Sequence, residues 1–297
     1  MNNKLGLHAF VWTPGWSHEQ CARAIGKTAE LGYDIIEAPA LDPSVFDVDF
    51  TRRELEKANV GITFSLGLDA TTDISNGDPE MAKRGERRLL DIVSIARDLK
   101  GTHICGIIYS AFQKYAVPPT KDGVARAVEV LQRVAEQAAK SDITLGLEVV
   151  NRYESNVLNT AAQAVEMCKR IGAPNVKVHL DCYHMNIEEA DVAAAIVETG
   201  PLLGYFHTGD SNRGYLGTGS IDFKMIFRAL AKANYQGPIT FESFSSRVVG
   251  QPLEGILGIW RDLWDDGDDL AAHAKIFTQA HLKAAYETEK RGRSSLV

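Results

Sequence analysis

The chain has 297 residues, of which 45% are hydrophobic and 24% charged, and a formal net charge of −7. A chain of this length can fold as one large α/β domain and bury about three quarters of the surface its unfolded form exposes. The acidic balance lacks the basic domain or stripe of a nucleic-acid footprint, and no run approaches the roughly 18 apolar residues of a membrane span.

The start, MNNKLGLHAFVW, enters a strand pattern almost at once and lacks the basic lead and apolar core of a signal peptide. From there apolar β-like runs alternate with helical periodicity. Strands are expected over residues 5–10, 33–38, 60–66, 102–108, 143–150, 176–181, 203–208 and 238–243. Helical segments include 17–31, 80–99, 123–140, 160–171 and 222–233, with Gly32, Gly101, Gly172 and Asn234 at their turning points. The strands are mostly continuous in hydrophobicity, as expected of a sheet covered by helices. Eight βα units in one series predict an α/β chain folded as a single (β/α)8 TIM barrel over 1–297, with a doubly wound open sheet as the alternative. The loops after strands one, three and four are long enough to lid its mouth. An insertion at about 245–269 precedes a last helix at about 270–290, and the tail RGRSSLV reads as mobile. Cys21, Cys105, Cys168 and Cys182 form no CxxC pair and read as buried free thiols, in keeping with a cytoplasmic protein.

Four of the strand-like runs end in a residue of the same chemical kind. They read LGLEVVN, VKVHLDC, LGYFHTG and PITFESF, and carry Glu148, Asp181, His207 and Glu242. The intervals are 33, 26 and 35 residues (181−148, 207−181, 242−207), close to one βαβ crossover each. In a closed barrel their side chains meet at one end. An unpaired carboxylate in an apolar strand is expensive, and an ion pair to a barrel Arg or Lys would satisfy one such acid. Four on successive units point instead to a divalent metal. Zinc prefers more His or Cys, so three carboxylates and one imidazole favour Mn²⁺, with Co²⁺ or Mg²⁺ as alternatives. Such a cation, chelating a carbonyl and the adjacent hydroxyl, acidifies the C–H between them and stabilises the enediolate. Two carboxylates on opposite faces of that carbon suggest epimerisation, whereas one suggests aldose–ketose isomerisation.

The runs LEVVNRYESNVLNTAA, VHLDCYHMNIEEAD, GPLLGYFHTGDSNR and TFESF, with GLHAFVWTPGW and IWRDL, resemble the ketose 3-epimerases. This family comprises D-tagatose, D-psicose and L-ribulose 3-epimerases within the wider xylose-isomerase-like barrels. The resemblance spans essentially the whole chain. It implies that Glu148 and Glu242 are metal ligands and also the acid/base pair at C3, with Asp181 and His207 completing the metal set. It further implies that Glu154, His184 and Arg213 bind the O1/O2 end of the sugar. Trp16 and Ile107 would then be apolar walls, and Gly67 would allow close backbone approach. His8 stands where some relatives have Tyr, and YSAF (109–112) replaces a segment carrying a Trp. Both changes touch the pocket for the distal carbons, so a ketopentose such as L-ribulose fits as well as a ketohexose.

Three other functions compete with this reading. An isomerase of the same barrel superfamily would move its proton or hydride between C1 and C2. A DNA-repair endonuclease would need several zinc ions and many histidines, against eight His in an acidic chain. A non-catalytic sugar-binding barrel would not need two opposed glutamates. No basic or Gly-rich cradle follows TFESF, so the expected substrate is a free sugar rather than a phosphate ester. Family members are dimers or tetramers, and the aromatic IWRDLWDD segment suggests an interface, so a homotetramer is expected. Glu188 and Glu189 read as a solvated first helical turn, and WDDGDD as surface charge.

Overall fold

The computed structural model describes residues 3–294. Eight parallel strands close into a barrel in chain order: β1 (Leu5–His8), β2 (Ile35–Pro39), β3 (Gly61–Leu68), β4 (His103–Ala111), β5 (Thr144–Glu148), β6 (Val176–Asp181), β7 (Leu203–Thr208) and β8 (Ile239–Phe241). The open-sheet alternative is excluded by the pairing of β1 with β8, Leu5 opposite Ile239 and Leu7 opposite Phe241. Closure removes both sheet edges, so every strand pairs on both sides.

The ends of β6 and β7 fall where hydrophobicity placed them. The first strand stops at His8, and Ala9–Val11 turns into a 3-10 segment because the His8 imidazole accepts from the Phe10 amide. β4 runs three residues further than expected, through a register irregularity opposite Gly67 and Leu68. β8 is only three residues long, which leaves Glu242 just beyond its end.

Helix starts follow side-chain capping. Ser17 and Gln20 form a reciprocal capping box for His18–Glu30, and Thr160 and Gln163 do the same for Ala161–Ile171. Helices Val48–Ala58, Pro79–Asp98, Lys121–Ala139, Cys182–Glu188, Val192–Thr199 and Phe223–Lys232 complete the series. The segment after β8 holds two short helices, Ser246–Val249 and Leu253–Leu257. The last helix, Gly267–Ser294, begins before 270 and continues past 290 into the tail, whose residues 295–297 lie outside the described residues. Among the described residues no helix is long and apolar enough to cross a membrane. All four cysteines are free and buried.

Two surface readings need correction. Glu188 is not a solvated charge: both its oxygens accept from the Arg152 guanidinium, at 2.9 and 2.8 Å, which ties the loop after β5 to the end of the helix Cys182–Glu188. Glu189 accepts from the Ala161 amide at 2.7 Å and so caps a neighbouring helix. Within the acidic run, Asp268 accepts from Trp12 Nε1 at 2.8 Å and from Lys27 at 2.6 Å, so that charge ties the last helix to the first βα unit.

Candidate active site

The barrel places the four strand-end residues together. Glu148 is the last residue of β5 and Asp181 the last of β6; His207 lies opposite Asp181 on β7, and Glu242 follows β8. One ligating atom from each lies within 4.8 Å of the others, and all four residues are buried. Asp181 is fixed from two sides, accepting from the Tyr183 amide at 2.7 Å and from Arg213 Nη1 at 3.0 Å. The same guanidinium nitrogen lies 2.9 Å from Glu242 Oε2.

The donor set fits a divalent cation on one particular observation. His207 Nδ1 is buried with no hydrogen-bond partner, and its nearest carboxylate oxygens are Glu242 Oε2 at 3.6 Å and Glu148 Oε1 at 3.8 Å. Those distances are too long for hydrogen bonds and suit atoms that share an ion between them. Three carboxylates with one imidazole match hard or borderline divalent ions.

One cavity joins most of the other expected residues. His8, Gly67, Ile107, Glu154, His184 and Arg213 line it with Glu148 and Glu242. A Cβ at Gly67 would sit 3.1 Å from the Phe112 ring, so the missing side chain makes room for that wall. Trp16 is not brought there. It lies in the core at 2% exposure, stacked on Phe46 with ring centroids 5.7 Å apart and donating to Thr51 Oγ1. Both partners come from the neighbouring βα unit, which draws the ring into the core.

Residues 25–267 match the family model of the xylose isomerase-like TIM barrels. The chain is 46% identical over 281 residues to a ketose 3-epimerase of Arthrobacter globiformis, covering 95% of this chain and 97% of that protein. The chain belongs to the ketose 3-epimerases. An L-ribulose 3-epimerase of a Methylomonas strain is 44% identical, with 92% of this chain and 95% of that one covered. A crystal structure of D-allulose 3-epimerase from Methylomonas sp. matches with a TM-score of 0.93 at 43% identity, covering 95% of this chain and 98% of that one. The chain is therefore an enzyme of this family.

Burial and charge set the protonation of the enzyme's site. Burial pushes the Glu148 carboxyl well above the usual range; His207 opposes this, while Glu242, Asp181 and Glu154 reinforce it. Burial acts on Glu242 in the same sense, but His207 and Arg213 outweigh it and hold that carboxyl well below the range. Two glutamates of one cluster thus favour opposite protonation states in the metal-free protein. Burial opposes charge on His207, yet Glu37 and Glu242 raise its pKa well above the ordinary value. Glu154 is pushed up to about 7 by burial, against the pull of Arg213 and Asn151.

The tautomer of His184 follows from its partners. Its Nδ1 accepts from the Asn151 amide at 3.1 Å and faces Asn151 Nδ2 at 2.9 Å. Burial and the nearby Arg213 disfavour charge on the ring, so its single proton sits on Nε2. Arg213 Nη2, 3.4 Å away, is then a second donor beside that atom rather than its partner. The acceptors that Nε2 faces are Glu154, Asp181 and Glu148 at 3.8, 3.7 and 3.9 Å. Arg213 has a backbone φ of 57°, a left-handed conformation rare outside glycine. Its guanidinium stacks 3.9 Å from the Tyr183 ring centroid, and with Asp181 and Glu242 this contact holds it in place.

Sequence reasoning missed Glu37, Tyr205 and His179. Glu37 lies in β2 at 0% exposure, and its Oε2 accepts from His207 Nε2 at 2.9 Å and from the Tyr205 hydroxyl at 2.8 Å. His179 is buried with both ring nitrogens unpartnered, edge-on to His207 at 4.2 Å between centroids. The signal for Glu37 was available: an acid inside the apolar run IIEAP needs a partner as much as Glu148 does.

Proposed function

We propose that this enzyme is a metal-dependent epimerase that inverts C3 of a free ketose, with Glu148 and Glu242 as its acid/base pair. The observation that carries the reading is the pair itself. Glu148 at the end of β5 and Glu242 just past β8 both approach His207 Nδ1, at 3.8 and 3.6 Å, within one buried cluster. Glu148, Asp181, His207 and Glu242 would hold one divalent ion, Mn²⁺ first, with Co²⁺ or Mg²⁺ as alternatives. When bound, that ion polarises the sugar's carbonyl and adjacent hydroxyl oxygens as a Lewis acid.

The chain's own residues account for the rest. One glutamate takes the C3 proton from one face, and the other returns a proton to the opposite face of the enediolate, so configuration inverts. The His184 Nε2–H and the Arg213 guanidinium donate to sugar oxygens at the O1/O2 end, and Glu154 accepts from a hydroxyl there. Burial of the cluster strengthens each of these polar contacts. Ile107, Gly67, Phe112 and His8 line the same cavity, and the distal carbons are placed against them. A rim of that composition takes L-ribulose, D-tagatose, D-psicose or D-fructose without a phosphate cradle.

We further read the chain as one barrel domain that assembles as a homotetramer of dimers in the cytoplasm. Trp260 and Ile256, at 69% and 51% exposure, support a surface suited to burial between copies.

The test is incubation of metal-loaded enzyme with these four ketoses in D₂O, beside a chelated control. The expected result is metal-dependent C3 inversion with deuterium at C3. Aldose product, or label at C1 or C2, would move the assignment to an isomerase of the same superfamily.

A further inference from the structure

The buried lumen beneath the metal cluster is polar where barrels of this kind usually pack branched aliphatic residues. Its centre is Glu37. A carboxylate can only accept, so the hydroxyl of Tyr205 donates to Glu37 Oε2. That leaves the Tyr205 oxygen to accept from Thr63 Oγ1 at 2.8 Å and Thr240 Oγ1 at 2.7 Å. The donors therefore run in one direction, from two threonines through the phenol to the carboxylate. The remaining donor to the same oxygen is His207 Nε2, at 2.9 Å. The chain makes space for the arrangement: a Cβ at Gly6 would lie 2.3 Å from Thr240 Oγ1.

We infer that Glu37 is a positioning residue for the metal centre: by accepting from Nε2–H it fixes the tautomer and ring plane of His207, so that Nδ1 faces Glu148 and Glu242. An imidazole that gives one nitrogen to a carboxylate presents the other as a lone pair, and it is a stronger ligand for it. The network explains why the outward nitrogen of His207 lacks a hydrogen-bond partner while the inward one has a charged partner at short range. Tyr205 holds Glu37 in turn and acts one step further back. Glu37 does not line the sugar cavity, and its hydrogen-bonded link to the metal cluster is His207.

The inference rests on the metal reading of the cluster, and the experiment separates the two. Full-length wild type, Glu37→Gln, Glu37→Ala and Tyr205→Phe are titrated with Mn²⁺ alone, free ion being read by electron paramagnetic resonance, after circular dichroism has verified folding. Loss of a carboxylate behind a ligating histidine weakens metal affinity by roughly 10–100-fold. Glu37→Ala is expected towards the upper end, Glu37→Gln near the lower end because its amide oxygen still accepts, and Tyr205→Phe below both. Folded Glu37 variants that bind Mn²⁺ within about two-fold of wild type overturn the role of Glu37 and leave the metal site standing. A wild type that binds no Mn²⁺ overturns the metal reading and this inference together. Should both Glu37 variants fail to fold, ¹⁵N NMR of Mg²⁺-loaded wild type decides. Protonated Nε2 and unprotonated Nδ1 at His207 support the inference, and the reverse tautomer overturns it.

Discussion

The floor of the site and its rim are built on different principles. On the floor, Glu148, Asp181, His207 and Glu242 stand at the ends of four paired strands, and Asp181, His207 and Glu242 are each held by a second polar group. At the rim, the chain after β8 passes through two short helices to an exposed Trp260. It lines an outer vestibule of about 320 Å³ with Tyr183 and Arg261. The vestibule shares Glu154, Arg213, Phe244 and Leu257 with the inner cavity. A floor fixed by strand register cannot shift one residue without losing every contact at once, whereas a rim of short loops tolerates change. On the proposed function the chemistry belongs to the floor, and the outer rim bears on sugar access and assembly.

The sharpest way to break this division is to remove one carboxylate. Glu148→Gln and Glu242→Gln are each expected to lower kcat by roughly 10²–10⁴-fold, the usual worth of a positioned acid/base group. Turnover retained in both variants, measured on L-ribulose, would remove the two glutamates from the acid/base role. Chelation should come next. A cation present at about 100 times its Kd adds about 2.7 kcal/mol of stability, so thermal melts with and without a chelator should differ by about 4 °C.

Proton linkage gives a smaller but more specific effect. Glu148 and His207 both hold protons to higher pH than their free counterparts, through burial for the first and through Glu37 and Glu242 for the second. An incoming cation must displace those protons, so competition is strongest at low pH and metal affinity rises as pH increases. Calorimetry in two buffers of different ionisation enthalpy should register net proton release on binding. Zero release would remove His207 from the ligand set. At the rim, Trp260→Ala should leave kcat within about two-fold, as expected of a change remote from the reacting groups, and any effect should fall on KM or on assembly. A large loss of kcat in that variant would erase the distinction between rim and floor.

How much of the site could be read in advance follows the same boundary. Glu148, Asp181, His207 and Glu242 stood out because charged or ionisable groups interrupt apolar runs at βα spacing. Glu37 interrupts IIEAP in the same way but went unread, since its partners His207 and Tyr205 lie 170 and 168 positions away. Trp16 reads as a pocket aromatic along the chain, and its packing on Phe46 and Thr51, again distant in sequence, is what sets it in the core. Glu188 and Glu189 had the composition of a solvated turn, and only the approach of Arg152 and of the helix at Ala161 gave them partners.

The sequence by itself determined the barrel and the four strand ends. Strand period, helix caps and repeat length are local, and eight βα units in series have few ways to close. Tertiary structure alone decided which nitrogen of His207 is free, which glutamate holds its proton, and what stands behind the metal cluster. Those properties depend on burial and on partners brought together from β2, β7 and β8, and no local pattern records such distances.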